Sequence, residues 1–340
     1  SLPEDRRSQI EELRLRVGRP LSLVLPWGER WLEGNPVTGR DLEQLVELAS
    51  GASFHAVADQ VRRGYLTVAG GHRIGLCGSA VLREGEVQGL RNLSSADLRI
   101  ARQLPGAAEG VLERLCREGR LESTLILAPP GLGKTTLLRD LIRRVSEGEG
   151  CHPLRVALAD ERGEVAALYR GVPQLEVGPR TDVMEGCPKA QGLMLLLRAM
   201  NPQVLAVDEI GGREDLEALR YAAGCGCSLI ATAHGTSYQD VEAKPAFREL
   251  FRDRLFERIL VLSGRRGPGT VEQILDGRGR DVCFNKTGGD SPCDHLLQCN
   301  GGRDGGASVG AAGPVKAHSR AGDPPEGGNP VCQCAAGGRI

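Results

Sequence analysis

An apolar run at residues 125–128 passes through two prolines into Gly131-Leu132-Gly133-Lys134-Thr135-Thr136, where a helical pattern opens. A strand, a glycine-rich turn and a helix in that order aim several backbone N–H groups at one small volume. The positive end of the helix lies behind them. Phosphate is the ligand such a volume takes. Pro130, Gly131, Leu132, Gly133, Lys134, Thr135 and Thr136 form the expected cradle, with Gly131 and Gly133 letting the backbone close around the ligand. Lys134 would reach the β and γ phosphates of a nucleoside triphosphate, and the Thr135 hydroxyl would ligate Mg²⁺. The usual pattern begins with glycine, whereas Ala128 stands there in this chain. A strand end tolerates alanine when its φ is negative.

About 70 residues later an apolar stretch at 204–207 ends in Asp208 and Glu209. Enzymes that split nucleoside triphosphates need a carboxylate near the metal and a group to orient the attacking water. Asp208 is the expected metal partner and Glu209 the expected base. Two more apolar runs end in polar residues. Residues 154–158 lead to Asp160, Glu161 and Glu164, and residues 229–231 lead to Thr232 and His234. Asp160 and Glu161 are expected to add acid near the γ-phosphate, and His234 to sense that phosphate. The expected cofactors are ATP and Mg²⁺, and the expected catalytic set is Lys134, Glu161, Glu209 and His234.

These runs, with another at 259–262, alternate with helical stretches across residues 106–276. Nearly continuous apolar strands separated by helices imply an α/β domain whose parallel sheet is covered on both faces. Residues 1–105 read as a small α+β domain. Strands are expected at 10–17 and 21–25, helices at 41–49 and 53–62, and a hairpin around Gly70-Gly71. From Gly277 onward glycine, proline and serine displace any apolar periodicity, so residues 277–340 read as a disordered tail. Its Cys293, His295, Cys332 and Cys334 leave a zinc site open as an alternative, although their spacing fits no common ligand pattern.

Composition removes several classes. Net charge is −1 and aromatics are 3% of the chain, so neither a basic groove nor a stacking platform for nucleic acid is expected. With so few aromatics, the core must be built from aliphatic side chains. No apolar run approaches the roughly 18 residues needed to span a bilayer, and no signal-peptide pattern opens the sequence. A cytoplasmic chain is expected, at most peripheral to a membrane. Six cysteines are scattered singly at 77, 116, 151, 187, 225 and 227, and are expected to be small buried residues.

Taken together, the phosphate loop at 128–136, the acidic residues at 160–164, the strand ending in Glu209 and the Thr232–His234 segment resemble the RecA-like ATPases of type II and type IV secretion systems. Arg198-Ala199-Met200-Asn201-Pro202 is similar to that family's approach to its second acidic strand. Residues 12–20, 71–75, 91–95, 178–182 and 207–212 resemble a branch of it that serves endospore formation. The resemblance covers about residues 10–276. It implies a homo-hexameric motor on the mother-cell side of a membrane channel, with integral membrane proteins of that channel complex as partners and no nucleic acid. An ATPase of this kind needs a cation at the transferred phosphate, and Arg73, Arg91, Arg99 and Arg102 are candidates to supply it across a subunit interface. Two further classes remain open on the residues: a nucleic-acid-dependent ATPase of similar core, and a nucleotide-regulated scaffold with little turnover.

Overall fold

The computed structural model describes residues 9–51, 60–265 and 267–282. The N-terminal part is a six-stranded antiparallel sheet of β1 (Glu12–Arg16), β2 (Ser22–Leu25), β3 (Gly28–Trp31), β4 (Tyr65–Thr67), β5 (Arg73–Arg83) and β6 (Glu86–Arg99), in the order β3-β2-β1-β6-β5-β4. The helix Gly39–Ser50 covers it. Thr38 caps that helix by accepting from Asp41 N while the Asp41 carboxylate accepts from Thr38 N, and Gly51 ends it in the left-handed region. Leu42 and Val46 of the helix pack on Leu66, Ile74, Leu76 and Ala96. The hairpin expected around Gly70-Gly71 is present, with Tyr65 opposite Gly75. The helix expected over 53–62 lies largely outside the described residues.

A short hairpin, β7 (Cys116–Arg117) with β8 (Arg120–Leu121), leads into the second sheet. This sheet holds β9 (Thr124–Ala128), β10 (Val156–Asp160), β13 (Thr181–Glu185), β14 (Val204–Val207), β15 (Ser228–His234), β16 (Arg258–Ser263) and β17 (Thr270–Asp276). The small hairpin β11 (Leu168–Tyr169) with β12 (Val172–Pro173) stands outside it. Strand order is β13-β10-β14-β15-β9-β16-β17. Every pair is parallel except β16 with β17, which form an antiparallel edge hairpin. The sheet is therefore mostly rather than wholly parallel.

Alternation along the strands sends side chains to two cores. Leu125, Leu127, Leu205, Val207, Leu229 and Ala231 face the helices Lys189–Met200 and Arg213–Gly224, whereas Ile126, Ala128, Leu158, Ala206 and Ile230 face the helix Lys134–Glu147. Both faces are dry, which is why these strands read as unbroken apolar runs. Among the largest fully buried side chains Phe256 is the single aromatic, and the rest are leucine and isoleucine. The cysteines divide differently from expectation. Cys227 is buried, but Cys77 and Cys225 are exposed and Cys116, Cys151 and Cys187 are intermediate.

The described chain stays ordered past Gly277. Val282 N donates to Ile274 O, and the Asp276 carboxylate accepts from Arg278 N, Arg280 N and Arg280 Nε. Residues 277–282, expected to open the tail, are thus bonded back to β17, and residues 283–340, with the tail cysteines, lie outside the described residues. No helix among the described residues is long and apolar enough to cross a membrane.

Candidate functional site

Parallel strands bring their C-terminal ends to one edge of the sheet, where the following loops open a crevice. Here β9 ends at Ala128, β15 at His234 and β14 at Val207, and β15 lies between the other two. Ala128 pairs with His234 in register and is fully buried, so the position usually held by glycine is ordinary strand here. Beyond it Gly131 and Gly133 adopt φ of +76° and +83°. Gly133 caps the helix Lys134–Glu147 in the left-handed region. A Cβ on Gly133 would stand 2.9 Å from Gly269 N, because the β16–β17 turn leans on the loop and Gly269 N donates to Leu132 O.

The first residues of that helix meet the other strand ends. Thr135 Oγ1 donates to Asp208 Oδ2 at 2.7 Å. Thr232, fully buried on the intervening strand, donates to the other oxygen of Asp208 and accepts from Glu209 N at 2.8 Å. Lys134 Nζ donates to Pro129 O at 3.1 Å and lies 3.2 Å from His234 Nδ1. With Nδ1 accepting from an ammonium, Nε2 carries the imidazole proton and donates to Glu209 Oε1. Glu209 Oε2 pairs with Arg162 at 2.8 Å. Glu209 itself sits at φ +61°, a left-handed conformation unusual for a side chain of its size. Burial pushes the Lys134 ammonium below its ordinary pKa, partly offset by the charges of Asp208 and Glu209.

Lys134, Thr135, Asp208, Glu209 and His234 are therefore brought into one hydrogen-bonded cluster. Glu161 is not part of it, since its carboxylate pairs with Lys189 at 3.0 Å. Asp160 is 2% exposed and accepts from the backbone N–H groups of Glu164, Val165 and Ala166. It shapes the turn after β10, and burial raises its pKa against those three donors. Thr232 and Arg162 carry contacts that spacing alone did not assign. The signal for Thr232 was available, because a hydroxyl at the end of a strand flanked by the two acidic and phosphate-loop strands can reach both.

Thr135 and Asp208 offer hard oxygen donors side by side at the mouth of the glycine-rich loop. Mg²⁺ characteristically takes one or two such protein oxygens and fills its octahedron with phosphate and water, so the residues fit that ion. Next to Thr136 a cleft of about 260 Å³ is lined by Arg73, Arg99, Arg102, Arg139 and Glu164. Three of the four arginines expected to supply a cation thus gather there, each already engaged. Arg73 pairs with Glu164 at 2.7 Å and lies over the Tyr65 ring, Arg99 with Asp97 at 3.3 Å, and Arg102 donates to Ile10 O. Arg91 lies elsewhere, in a groove beside Glu43 and Glu47.

The family model described as "Sporulation stage III, protein AA" matches residues 4–282. The chain is 42% identical over 294 residues to the stage III sporulation protein AA of Bacillus subtilis strain 168, covering 84% of this chain and 93% of that protein. Among solved structures it is similar to the Legionella pneumophila ATPase DotB, with TM-score 0.50 and 15% identity over 76% of this chain and 73% of the other. It is also similar to the pilus retraction motor PilT with bound ADP, with TM-score 0.51 and 16% identity over 76% of each chain. At such identities the structural likeness shows the fold alone, one shared with DotB and PilT.

Proposed function

The chain belongs to the sporulation stage III protein AA family, and from that premise we propose that it is an ATP-hydrolysing motor serving a membrane channel complex during endospore formation. The observation that carries the reading is the cluster in which Lys134, Thr135, Asp208, Glu209 and His234 converge on the mouth of a glycine-rich loop. A phosphate-binding turn alone accounts for nucleotide binding. Adding Asp208 against Thr135 and a carboxylate at Glu209 accounts for a metal and a water beside the γ-phosphate, and so for hydrolysis.

In this reading the loop N–H groups and Lys134 hold the phosphates, and Thr135 and Asp208 hold Mg²⁺. The metal, when bound, supplies charge neutralisation on the phosphate oxygens. Glu209 orients the attacking water and takes its proton, and His234 fixes one oxygen of Glu209 while touching the lysine that meets the γ-phosphate. That chain of contacts, from Lys134 through His234 to Glu209, supports the role of His234 as a phosphate sensor. The chain works as a ring of identical subunits, a homo-hexamer, docked at the membrane through integral protein partners. An ATP-driven ring has more than one subunit to act on, so activity rises with protein concentration as subunits associate. Steady-state ATP hydrolysis measured against protein concentration, alongside sedimentation at each concentration, tests the reading. Turnover that climbs as a ring forms supports it. Full activity in a sample that sediments as monomer overturns the ring, and no hydrolysis at any concentration overturns the motor.

A further inference from the structure

Both carboxylate oxygens of Glu209 are occupied: Oε1 accepts from His234 Nε2, and Oε2 pairs with Arg162 at 2.8 Å. Each oxygen keeps a second lone pair, and a carboxylate that is to take a proton from water must turn one of these toward that water. With a partner on each oxygen the carboxylate is held in one orientation, and the loss of one partner frees it to turn. His234 is held at its far side by Lys134, 3.2 Å away, and its strand pairs with β9. Arg162 is different. Its side chain is 59% exposed, and Glu209 is its one ion-pair partner among the described residues.

The segment that carries Arg162 is nevertheless firmly built. Asp160, two residues earlier, accepts three backbone N–H groups from 164–166. Gly163, one residue later, takes φ +65°, where a Cβ would strike the Glu185 carboxylate at 2.7 Å. A long flexible cation thus projects from a rigid turn and reaches the carboxylate next to the phosphate loop. Guanidinium binds a dianionic phosphoryl group, with its several oxygens, in preference to one carboxylate oxygen, because its fork can engage two oxygens at once. Arg73, Arg99 and Arg102 are each held by partners in the N-terminal sheet, its flanking segments or Glu164.

The geometry points to Arg162 as the cation that meets the γ-phosphoryl group of ATP within its own subunit, and that releases Glu209 to act as base when it does so. This rests on the ATPase reading above. In the step itself the water oxygen bonds to the γ-phosphorus as the bond to the β-phosphate oxygen breaks. ADP leaves with that electron pair and the water proton passes to Glu209. The N–H groups of Arg162 meet the charge on the transferred oxygens. The same anion that must be split removes the restraint on the base, so Glu209 is freed only when a γ-phosphate is present.

The test uses full-length Arg162→Ala and Arg162→Lys chains with two readouts: ATP hydrolysis, and affinity for a fluorescent ADP analogue with and without aluminium fluoride, which mimics the phosphoryl group in transfer. Arg162→Ala should keep ADP affinity within about twofold, lose the tightening caused by aluminium fluoride, and lower hydrolysis on the order of 10²-fold or more, as for a lost transition-state donor. Arg162→Lys should recover part of both. Hydrolysis by Arg162→Ala at or above the wild-type rate would mean that the arginine only restrains Glu209, and overturns the proposal. So does a parallel loss of ADP and ADP–aluminium fluoride affinity, which marks a packing role. A wild-type chain that neither hydrolyses ATP nor is tightened by aluminium fluoride removes the parent reading as well, and that control distinguishes the two failures.

Discussion

Thr135 Oγ1 donates to Asp208 Oδ2 across 2.7 Å, joining the first turn of the helix Lys134–Glu147 to the end of a strand two positions away in the sheet from β9. The strand between them makes this bond possible. β15 contributes Thr232, whose hydroxyl engages the second oxygen of Asp208 and the backbone of Glu209. Asp208 is thus oriented from both sides before any ligand arrives, which is how a site avoids reorganisation during the reaction.

Thr232→Val keeps the shape of a fully buried side chain and removes both bonds. Asp208 and Glu209 then lose their shared anchor, while Lys134 and the loop backbone are untouched. Hydrolysis should fall about tenfold, the effect of about 1.4 kcal/mol in the barrier. ADP affinity should stay near wild type. Equal turnover in the valine variant would show that the anchor is not needed.

Asp160 ties the turn that bears Arg162, so its removal should be felt as stability. Asp160→Ala leaves three backbone N–H groups, two of them buried, without their acceptor, a loss of about 3 kcal/mol. Asp160→Asn keeps one acceptor oxygen and should lose less. Urea unfolding of the two variants checks the order. An alanine variant as stable as wild type would contradict the role given to this carboxylate.

Glu185, at the end of edge strand β13, gives a pH-dependent expectation. Burial pushes its carboxyl up to about 7, with Asp160 adding to the rise while the Leu168 N–H, Arg73 and Arg63 oppose it. A carboxyl raised on folding favours the folded state while it is protonated. That contribution is present below its ordinary range and is lost as pH rises through about 7. Glu185→Gln keeps an acceptor for Leu168 N and cannot ionise. Its melting temperature should exceed the wild-type value at pH 8 and converge on it near pH 5. A constant difference at both pH values would contradict the assignment.

The parts of this molecule that were legible in its sequence share a physical cause. β9, β14, β15 and β16 are buried on both faces, so their sequences are continuous apolar runs bounded by polar strand ends. β13, with the sequence Thr-Asp-Val-Met-Glu, is half-buried along its length at a sheet edge and carries no such signal. Most of the long β5–β6 hairpin is hidden for the same reason. Beyond Leu76, β5 is exposed, so no alternation is imposed on it. At the site, Lys134, Thr135, Asp208, Glu209 and His234 were readable because each stands at a strand end or helix start. Arg162 was not. It lies between Glu161 and Glu164 in a run of mixed charges, and only the turn shaped by Asp160 sets it on Glu209 rather than in solvent. Glu161 illustrates the converse, an acid at a promising sequence position that the chain pairs with Lys189 instead.

The most direct measurement compares nucleotide binding and steady-state ATP hydrolysis in the wild type, Lys134→Ala and Glu209→Gln. Mg²⁺-dependent hydrolysis is expected of the wild type, and weakened binding as well as lost turnover of Lys134→Ala. Glu209→Gln should bind ATP normally and hydrolyse it slower by ~10²-fold or more, as expected for a lost general base. A Glu209→Gln chain that turns ATP over at the wild-type rate would contradict the assignment of Glu209 as the base.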